Sequence, residues 1–202
     1  MEHEREWLRL AAEGDMQAFE ALVSAYEGRL YHLAFRYLGN REDAEDAVQE
    51  IFLRVFRFLG TFQQQSSFST WIYRIGVNVC RDIYLQKSRR REQPMEQGED
   101  GEPAQDIPDT RYTPEEQAER QELRELVWQG LLSLPQAQKE ILLLRDMQGL
   151  TYEEIAETLS LGLGTVKSRI ARARENLHKK LLQNGNIRDY FPSNSMEGGK
   201  RG

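Results

Sequence analysis

The chain has 202 residues, 39% hydrophobic and 30% charged, with a net charge of −6, which suits a globular protein with room for one large or two small domains. No apolar run approaches the roughly 20 residues that cross a bilayer, and the opening Met-Glu-His-Glu-Arg-Glu-Trp is too charged for a secretory signal. The single Cys80 and the scattered His3, His32 and His178 exclude an internal disulfide and give no metal-ligand cluster, so no catalytic residue, no cofactor and no metal is expected.

Apolar residues recur at three/four spacing and strict alternation is nearly absent, which predicts helices. Asp15 can cap a helix running to about Leu38, and Gly39-Asn40 breaks it. Asn40 can cap the next helix, with Glu42 and Asp43 in its positive first turn. Over 40–59, Ala44, Ala47, Val48, Ile51, Phe52, Val55 and Leu59 form one apolar arc. Opposite lie Asp46, Gln49, Glu50, Leu53 and Arg57, with Phe56 at the edge. Spacing alone allows a solvated face. An apolar spot ringed by acids also suits a protein partner with a basic and apolar surface.

Ser69 can cap a third long helix, reaching the run Lys87-Ser88-Arg89-Arg90-Arg91. Phe68, Ile72, Ile75, Val79 and Ile83 read as its core stripe. The other side carries Trp71, Arg74, Asn78 and Arg81, flanked by Tyr73 and Tyr84. Aromatics beside arginines can stack unpaired bases and hold phosphates. The same spacing fits an aromatic core helix with a salt-bridged edge.

The charge is unevenly placed. Residues 1–91 are neutral overall, residues 92–122 carry net −9, and residues 123–202 carry net +3. The acidic stretch contains Pro94, Pro103, Pro108 and Pro114 and almost no large apolar residue before Tyr112. It cannot bury enough surface to offset its ordering entropy, which predicts a flexible linker over 92–121. Residues 184–202, rich in Gly, Asn and Ser, are expected to fray.

In the second half, Leu134-Pro135 opens a helix through about Met147, and Gly149 ends it. The run from Leu150 to Arg169 then reads as helix, tight turn and second helix, the layout of a helix-turn-helix over 151–172. In the second of these helices Val166, Ile170, Ala173, Leu177 and Leu181 share one face, expected to point inward. Thr165, Ser168, Arg169 and Arg172 point away, and Lys167, Arg174, Lys179 and Lys180 can reach a DNA backbone. A basic surface helix without a nucleic-acid role is the plain alternative. Gly162 accepts positive φ cheaply, so the turn over 159–164 is expected to bend one or two residues later than is usual in a helix-turn-helix.

These motifs resemble bacterial sigma factors of the extracytoplasmic-function (ECF) group, in the sigma-70 family. The likeness rests on Asp43-Ala44-Glu45-Asp46-Ala47-Val48-Gln49-Glu50-Ile51-Phe52-Leu53-Arg54 and on Phe68-Ser69-Thr70-Trp71-Ile72-Tyr73-Arg74-Ile75-Gly76-Val77-Asn78. It rests further on Leu134-Pro135, Tyr152-Glu153-Glu154-Ile155-Ala156 and Gly164-Thr165-Val166-Lys167-Ser168-Arg169. The resemblance implies an all-α protein of two small helical domains joined by a flexible acidic linker, the second containing the helix-turn-helix. Residues 1–91 would be sigma region 2 and residues 122–183 region 4. Asp43, Asp46, Gln49, Glu50, Leu53, Arg54 and Arg57 would bind core RNA polymerase at its β′ subunit. Trp71, Tyr73, Arg74, Asn78, Arg81 and Lys87 would hold promoter DNA as single strand. Thr165, Lys167, Ser168, Arg169 and Arg172 would read duplex DNA.

The linker would thread through the polymerase near its active-site and RNA-exit channels, against the β and β′ subunits. The remaining implied partner is an anti-sigma factor, often membrane-bound, while the chain itself would stay in the bacterial cytoplasm without inserting in the membrane. Two rivals stand beside this reading. A stand-alone LuxR-like regulator would carry the same helix-turn-helix, but residues 1–91 lack the apolar strand runs of its usual sensing domain. A nucleic-acid enzyme would use Asp43, Asp46 and Glu50 as metal ligands, although they share one helix with no partner cluster elsewhere.

Overall fold

The computed structural model describes residues 2–91 and 114–183. Most of the expected linker and the expected tail therefore lie outside the described residues. The architecture is all-α, with α1 Glu2–Ala12, α2 Met16–Leu38, α3 Arg41–Phe58 and α4 Phe68–Arg91 in the first half. The second half holds α5 Pro114–Leu132, α6 Gln136–Leu142, α7 Tyr152–Leu159 and α8 Leu163–Gln183.

Local chemistry sets the boundaries. The Asp15 carboxylate accepts from the backbone N–H groups of Gln17 and Ala18, closing the open end of α2. Gly39 at φ 86° ends that helix in the left-handed region, where a Cβ is costly. The Asn40 side chain accepts from Asp43 N and starts α3. At α4 the cap is Ser67, two residues before the expected Ser69. Its hydroxyl accepts from Thr70 N at 3.1 Å, and its carbonyl accepts from Trp71 N. Helix α5 begins at Pro114, inside the stretch expected to be linker. Proline is well suited to a first helical position, because that N–H has no partner in any helix.

The first domain wraps α1, α2, α3 and α4 around Leu22, Leu30, Leu33, Ala44, Ala47, Ile51, Val55 and Ile72, all buried. Helix α1, not anticipated from sequence, lays Leu8 and Ala11 on α2, and the Tyr26 hydroxyl donates to Glu4 at 2.8 Å. The second domain packs α5, α6 and α7 around α8, with Trp128, Ile141, Leu144, Ile155, Val166 and Ile170 inside. Gly130 lets α5 seat closely on α8: a Cβ there would lie 2.8 Å from Leu181 Cδ2. Between α6 and Gly149 the chain forms a π-turn over Leu143–Met147, whose wider ladder displaces the next residues by one position.

The two domains pack against each other. Phe35 of α2 stacks on Trp128 of α5 at 6.1 Å between centroids, and α4 lies along α7. Polar pairings cross the same boundary, and they shape the sites below.

Candidate nucleic-acid and polymerase interfaces

The helix-turn-helix is built as its sequence predicts, except at the turn. Thr151 and Glu154 form a reciprocal capping box at the start of α7. The bend falls on Ser160 at φ 54°, not on the later glycines. Ser160 N and Leu161 N both return to the carbonyl of Ala156, and these bonds hold a non-glycine residue in the left-handed region. Val166, Ile170 and Ala173 are buried, while Leu177 and Leu181 are half-buried on α5.

Thr165, Lys167, Ser168, Arg169 and Arg172 are all exposed near the N-terminal half of α8, where the helix dipole is positive. Arg174 and Lys179 differ from these. Arg174 is paired with Asp146, and Lys179 with Glu175 at 2.7 Å. The outward arc thus has the shape and charge to enter a major groove.

On α3, Asp46, Gln49, Leu53 and Arg57 are exposed, and Leu53 stands 60% open. Glu50 accepts from Arg54 at 2.6 Å, and Arg54 also reaches Asp82 at 3.4 Å, so this pair forms the rim. Asp43 is not on that face. It is buried, bonded to Asn40 and ion-paired to Lys87 at 2.5 Å. Its position at the third residue of α3 turns it inward to the cap. The apolar spot is wider than the sequence suggests. Phe56, exposed, meets Phe19 of α2 edge-on at 5.1 Å, and Met16 lies one turn before Phe19. No short-range signal links residues that far apart.

The expected strip on α4 is divided. Trp71 is half-buried, packed on Phe62 at 5.1 Å and Phe68 at 5.7 Å between centroids, with one edge open. Arg74 is half-buried and Asn78 exposed. Tyr73, expected to flank a platform, is fully buried, and its hydroxyl donates across the domain boundary to Gln148 at 2.8 Å. Arg81 is ion-paired to Glu140 of the second domain. Lys87 is held by Asp43. The core stripe is also broader than expected. Val77 and Cys80 are buried, whereas Ile75 and Ile83 are only half-buried. Helix α4 is covered on two sides, by its own domain and by the other.

Electrostatics mark that boundary. Burial pulls the Lys139 ammonium down to about 8, and its Nζ donates to the Tyr37 carbonyl at 2.8 Å. Burial raises the Glu140 carboxyl above its ordinary range, against the pull of Arg81. Cys80 is pushed up to about 12, first by burial and then by Glu140. A cleft of about 340 Å³ opens beside this cluster, between Arg81, Tyr84 and Leu85 of α4 and Leu159, Leu161 and Arg169. Among the described residues no group of three or more His, Cys, Asp or Glu could hold a metal ion. Asp43, committed to its cap, does not join Asp46 and Glu50 as a ligand.

The fold and these faces define a two-domain helical protein that carries a DNA-reading helix-turn-helix. Its family follows from comparison with known proteins. The models for sigma-70 region 2 and sigma-70 region 4 match residues 22–91 and 124–177. An ECF RNA polymerase sigma-E factor of Haemophilus influenzae is 37% identical over 84% of this chain and 90% of its own length. An RNA polymerase sigma-H factor of Pseudomonas aeruginosa is 34% identical, covering 89% and 94%. Among solved structures, CnrH in complex with the cytosolic domain of CnrY superposes with a TM-score of 0.66 at 27% identity, over 91% of this chain and 99% of that one. RpoE of Bartonella quintana, in complex with the anti-sigma factor NepR, shares the fold with a TM-score of 0.64 at 21% identity, over 81% and 96%.

The chain belongs to the ECF sigma factors. The region 2 match over the first domain disfavours the LuxR-like regulator, whose likeness is confined to the helix-turn-helix.

Proposed function

We propose that the chain binds core RNA polymerase and directs it to a small promoter set, recognising and opening promoter DNA without an enzymatic activity of its own. The observation that carries this reading is the coexistence of two unlike surfaces in one chain. One is the acid-rimmed apolar spot of Leu53 and Phe56 on α3. The other is the basic N-terminal half of α8. The first suits a polymerase helix pair with basic and apolar side chains, the second a DNA groove.

Within this reading residues 1–91 act as region 2 and residues 122–183 as region 4. Asp46, Gln49, Glu50, Leu53, Arg54 and Arg57 contact polymerase, and Asp43 supports them by fixing the start of α3. Trp71, Arg74 and Asn78 meet unpaired bases, joined by Tyr73, Arg81 and Lys87 once their present partners release them. Thr165, Lys167, Ser168, Arg169 and Arg172 read the upstream duplex. Relatives of this fold are solved with CnrY and with the anti-sigma factor NepR, and an anti-sigma partner is proposed here too. No helix among the described residues is long and apolar enough to cross a membrane, and the place of action is the bacterial cytoplasm, where polymerase is.

The test is co-elution with core polymerase. The double variant Asp46→Lys, Glu50→Lys should lose binding while keeping its fold. Both side chains face outward, and the surface pair of Glu50 with Arg54 is worth at most about 1 kcal/mol. Co-elution of the double variant at wild-type affinity would overturn the assignment of that face.

A further inference from the structure

The cleft of about 340 Å³ beside Arg81 has no part, as a cavity, in the proposed function. At about 30 Å³ for each water-sized group it has room for roughly ten non-hydrogen atoms. That places it at the small end of ligand pockets, which hold about 300–1,000 Å³. Its lining is mostly apolar. Tyr84 and Leu85 come from α4, Leu159 and Leu161 from the end of α7 and the turn after it, and Ala137 from α6. Tyr84 is 37% and Leu85 47% exposed, so apolar surface is left in water that a small ligand would shield.

The charges around the cleft select the kind of ligand. Arg81, Glu140 and Arg169 all line it, but they are not equivalent. Arg81 and Glu140 neutralise each other, and Glu140 also accepts from the Tyr37 hydroxyl. Arg169 is exposed and enters no ion pair among the described residues. One cation is therefore spare at an apolar cleft. A cationic ligand would be repelled by both guanidinium groups, and an uncharged one would leave Arg169 unanswered. A phosphate ester, close to doubly charged at neutral pH, would bring more charge than one guanidinium offsets. A carboxylate carries a single charge and matches the planar fork of Arg.

We infer that this cleft binds a small amphipathic monocarboxylate, its apolar body against Tyr84, Leu85, Leu159 and Leu161 and its carboxylate on Arg169. The site goes beyond the proposed function and does not rest on it. Because Arg169 is shared with the duplex-reading arc, the site is decided by residues outside that arc.

The test is a titration of the full-length chain with sodium octanoate, followed by backbone amide chemical shifts. Saturable shifts are expected at Tyr84, Leu85, Ala137, Leu159 and Leu161, all described by a single binding constant. Octylammonium has the same chain and the opposite charge, and should bind about tenfold more weakly, a difference of about 1.4 kcal/mol. Leu85→Glu sets an acid beside the ligand, and Ala137→Trp fills part of the volume. Both positions are exposed, so helix content by circular dichroism should not change, and either variant serves if the other misfolds. Each is expected to weaken octanoate binding by about tenfold. Arg169→Gln should weaken it by up to about fivefold, the limit set by about 1 kcal/mol for an exposed ion pair, and should leave 1-octanol binding unchanged. Shifts scattered over the surface, or equal affinity for octanoate and octylammonium, would overturn the site. So would undiminished binding in folded Leu85→Glu and Ala137→Trp. Octanoate binding seen only after removal of residues 184–202 would overturn it as well, giving the cleft to the chain's own Asp189-Tyr190-Phe191.

Discussion

Helices α4 and α8 are alike in sequence and unlike in their surroundings. Each is long, with an apolar stripe at helical spacing and a polar, cation-bearing strip on the other side. The strip of α8 stands in solvent along Thr165, Ser168, Arg169 and Arg172. The strip of α4 is split, with Asn78 in solvent, Trp71 half-covered by aromatics, and Tyr73 and Arg81 turned to the other domain. The difference teaches that periodicity reports which face of a helix is apolar, and therefore which face its own domain buries. It does not report a second, polar burial by a neighbour. A polar strip held by ion pairs and a polar strip in water have the same composition.

Trp71 is where the comparison is broken most forcefully. Truncating a fully buried Trp costs about 3–5 kcal/mol, and this half-buried ring should cost roughly half of that in stability. Trp71→Ala should also lose base stacking worth about 1–3 kcal/mol, so promoter opening read by permanganate should fall more than duplex binding. Trp71→Leu separates the two contributions, keeping apolar packing against Phe62 and Phe68 while removing the aromatic face that a base would stack on. Opening by Trp71→Leu at wild-type extent, with Trp71→Ala merely unfolded, would make the ring a core residue and nothing more.

On α8, Arg172→Ala should weaken recognition of the upstream element by roughly 1–3 kcal/mol relative to scrambled duplex, the range of a bidentate Arg–guanine contact. Lys179→Ala should lose equally little on both, since Lys179 is two turns further along and already paired with Glu175. Binding of both duplexes at one fixed salt decides it, and equal losses for Arg172→Ala would assign it to the backbone.

With the two domains packed on each other as the closed state, closure should respond to pH with a definite sign. Lys139 has its pKa lowered by burial to about 8 from an ordinary 10.5, so closed chain binds fewer protons than open chain between those values. Closure therefore strengthens as pH rises through about 8 and gains no more above the ordinary value. Glu140, raised by burial, favours closure on the acid side instead. The groups facing this pair are Tyr37 from α2 and Arg81, Tyr84 and Cys80 from α4, with Arg169 from α8. Cys80, at about 12, does not titrate in the window. The radius of gyration should shrink from pH 7 to 9.5 in wild type and stay flat in Lys139→Met.

The smallest effect lies in the turn. Ser160→Gly removes the cost of a Cβ at φ 54° and should stabilise the second domain by about 0.5–1 kcal/mol in thermal unfolding, less whatever chain entropy glycine adds to the unfolded state. A loss of more than that would mean that the serine side chain has a role of its own.

These residues also show how far the sequence could be read. The start and stop of α2 and the start of α3 were legible because Asp15, Gly39 and Asn40 act within three residues of themselves. The helix-turn-helix was legible because its core repeats along one short span. Helix α1 was missed because its apolar residues mean little until α2 is placed beside them. Helix α5 was missed because the proline that starts it closes an acidic, proline-rich run, and its anchoring residues Trp128 and Leu131 lie at the far end. The bend falls earlier than the glycines suggest because hydrogen bonds to Ala156 outweigh the preference for glycine. Asp43, Tyr73 and Arg81 read as open-face residues in the sequence because their partners Lys87, Gln148 and Glu140 are 44, 75 and 59 positions away.

The close seating of α5 on α8 at Gly130 has a mechanical meaning. Helix α5 is a rod clamped to the distal third of α8, far from the outward arc of Thr165 to Arg172 that is proposed to meet DNA. A displacement of the N-terminal end of α5 is therefore transmitted to the second domain as a whole, as through the handle of a tool.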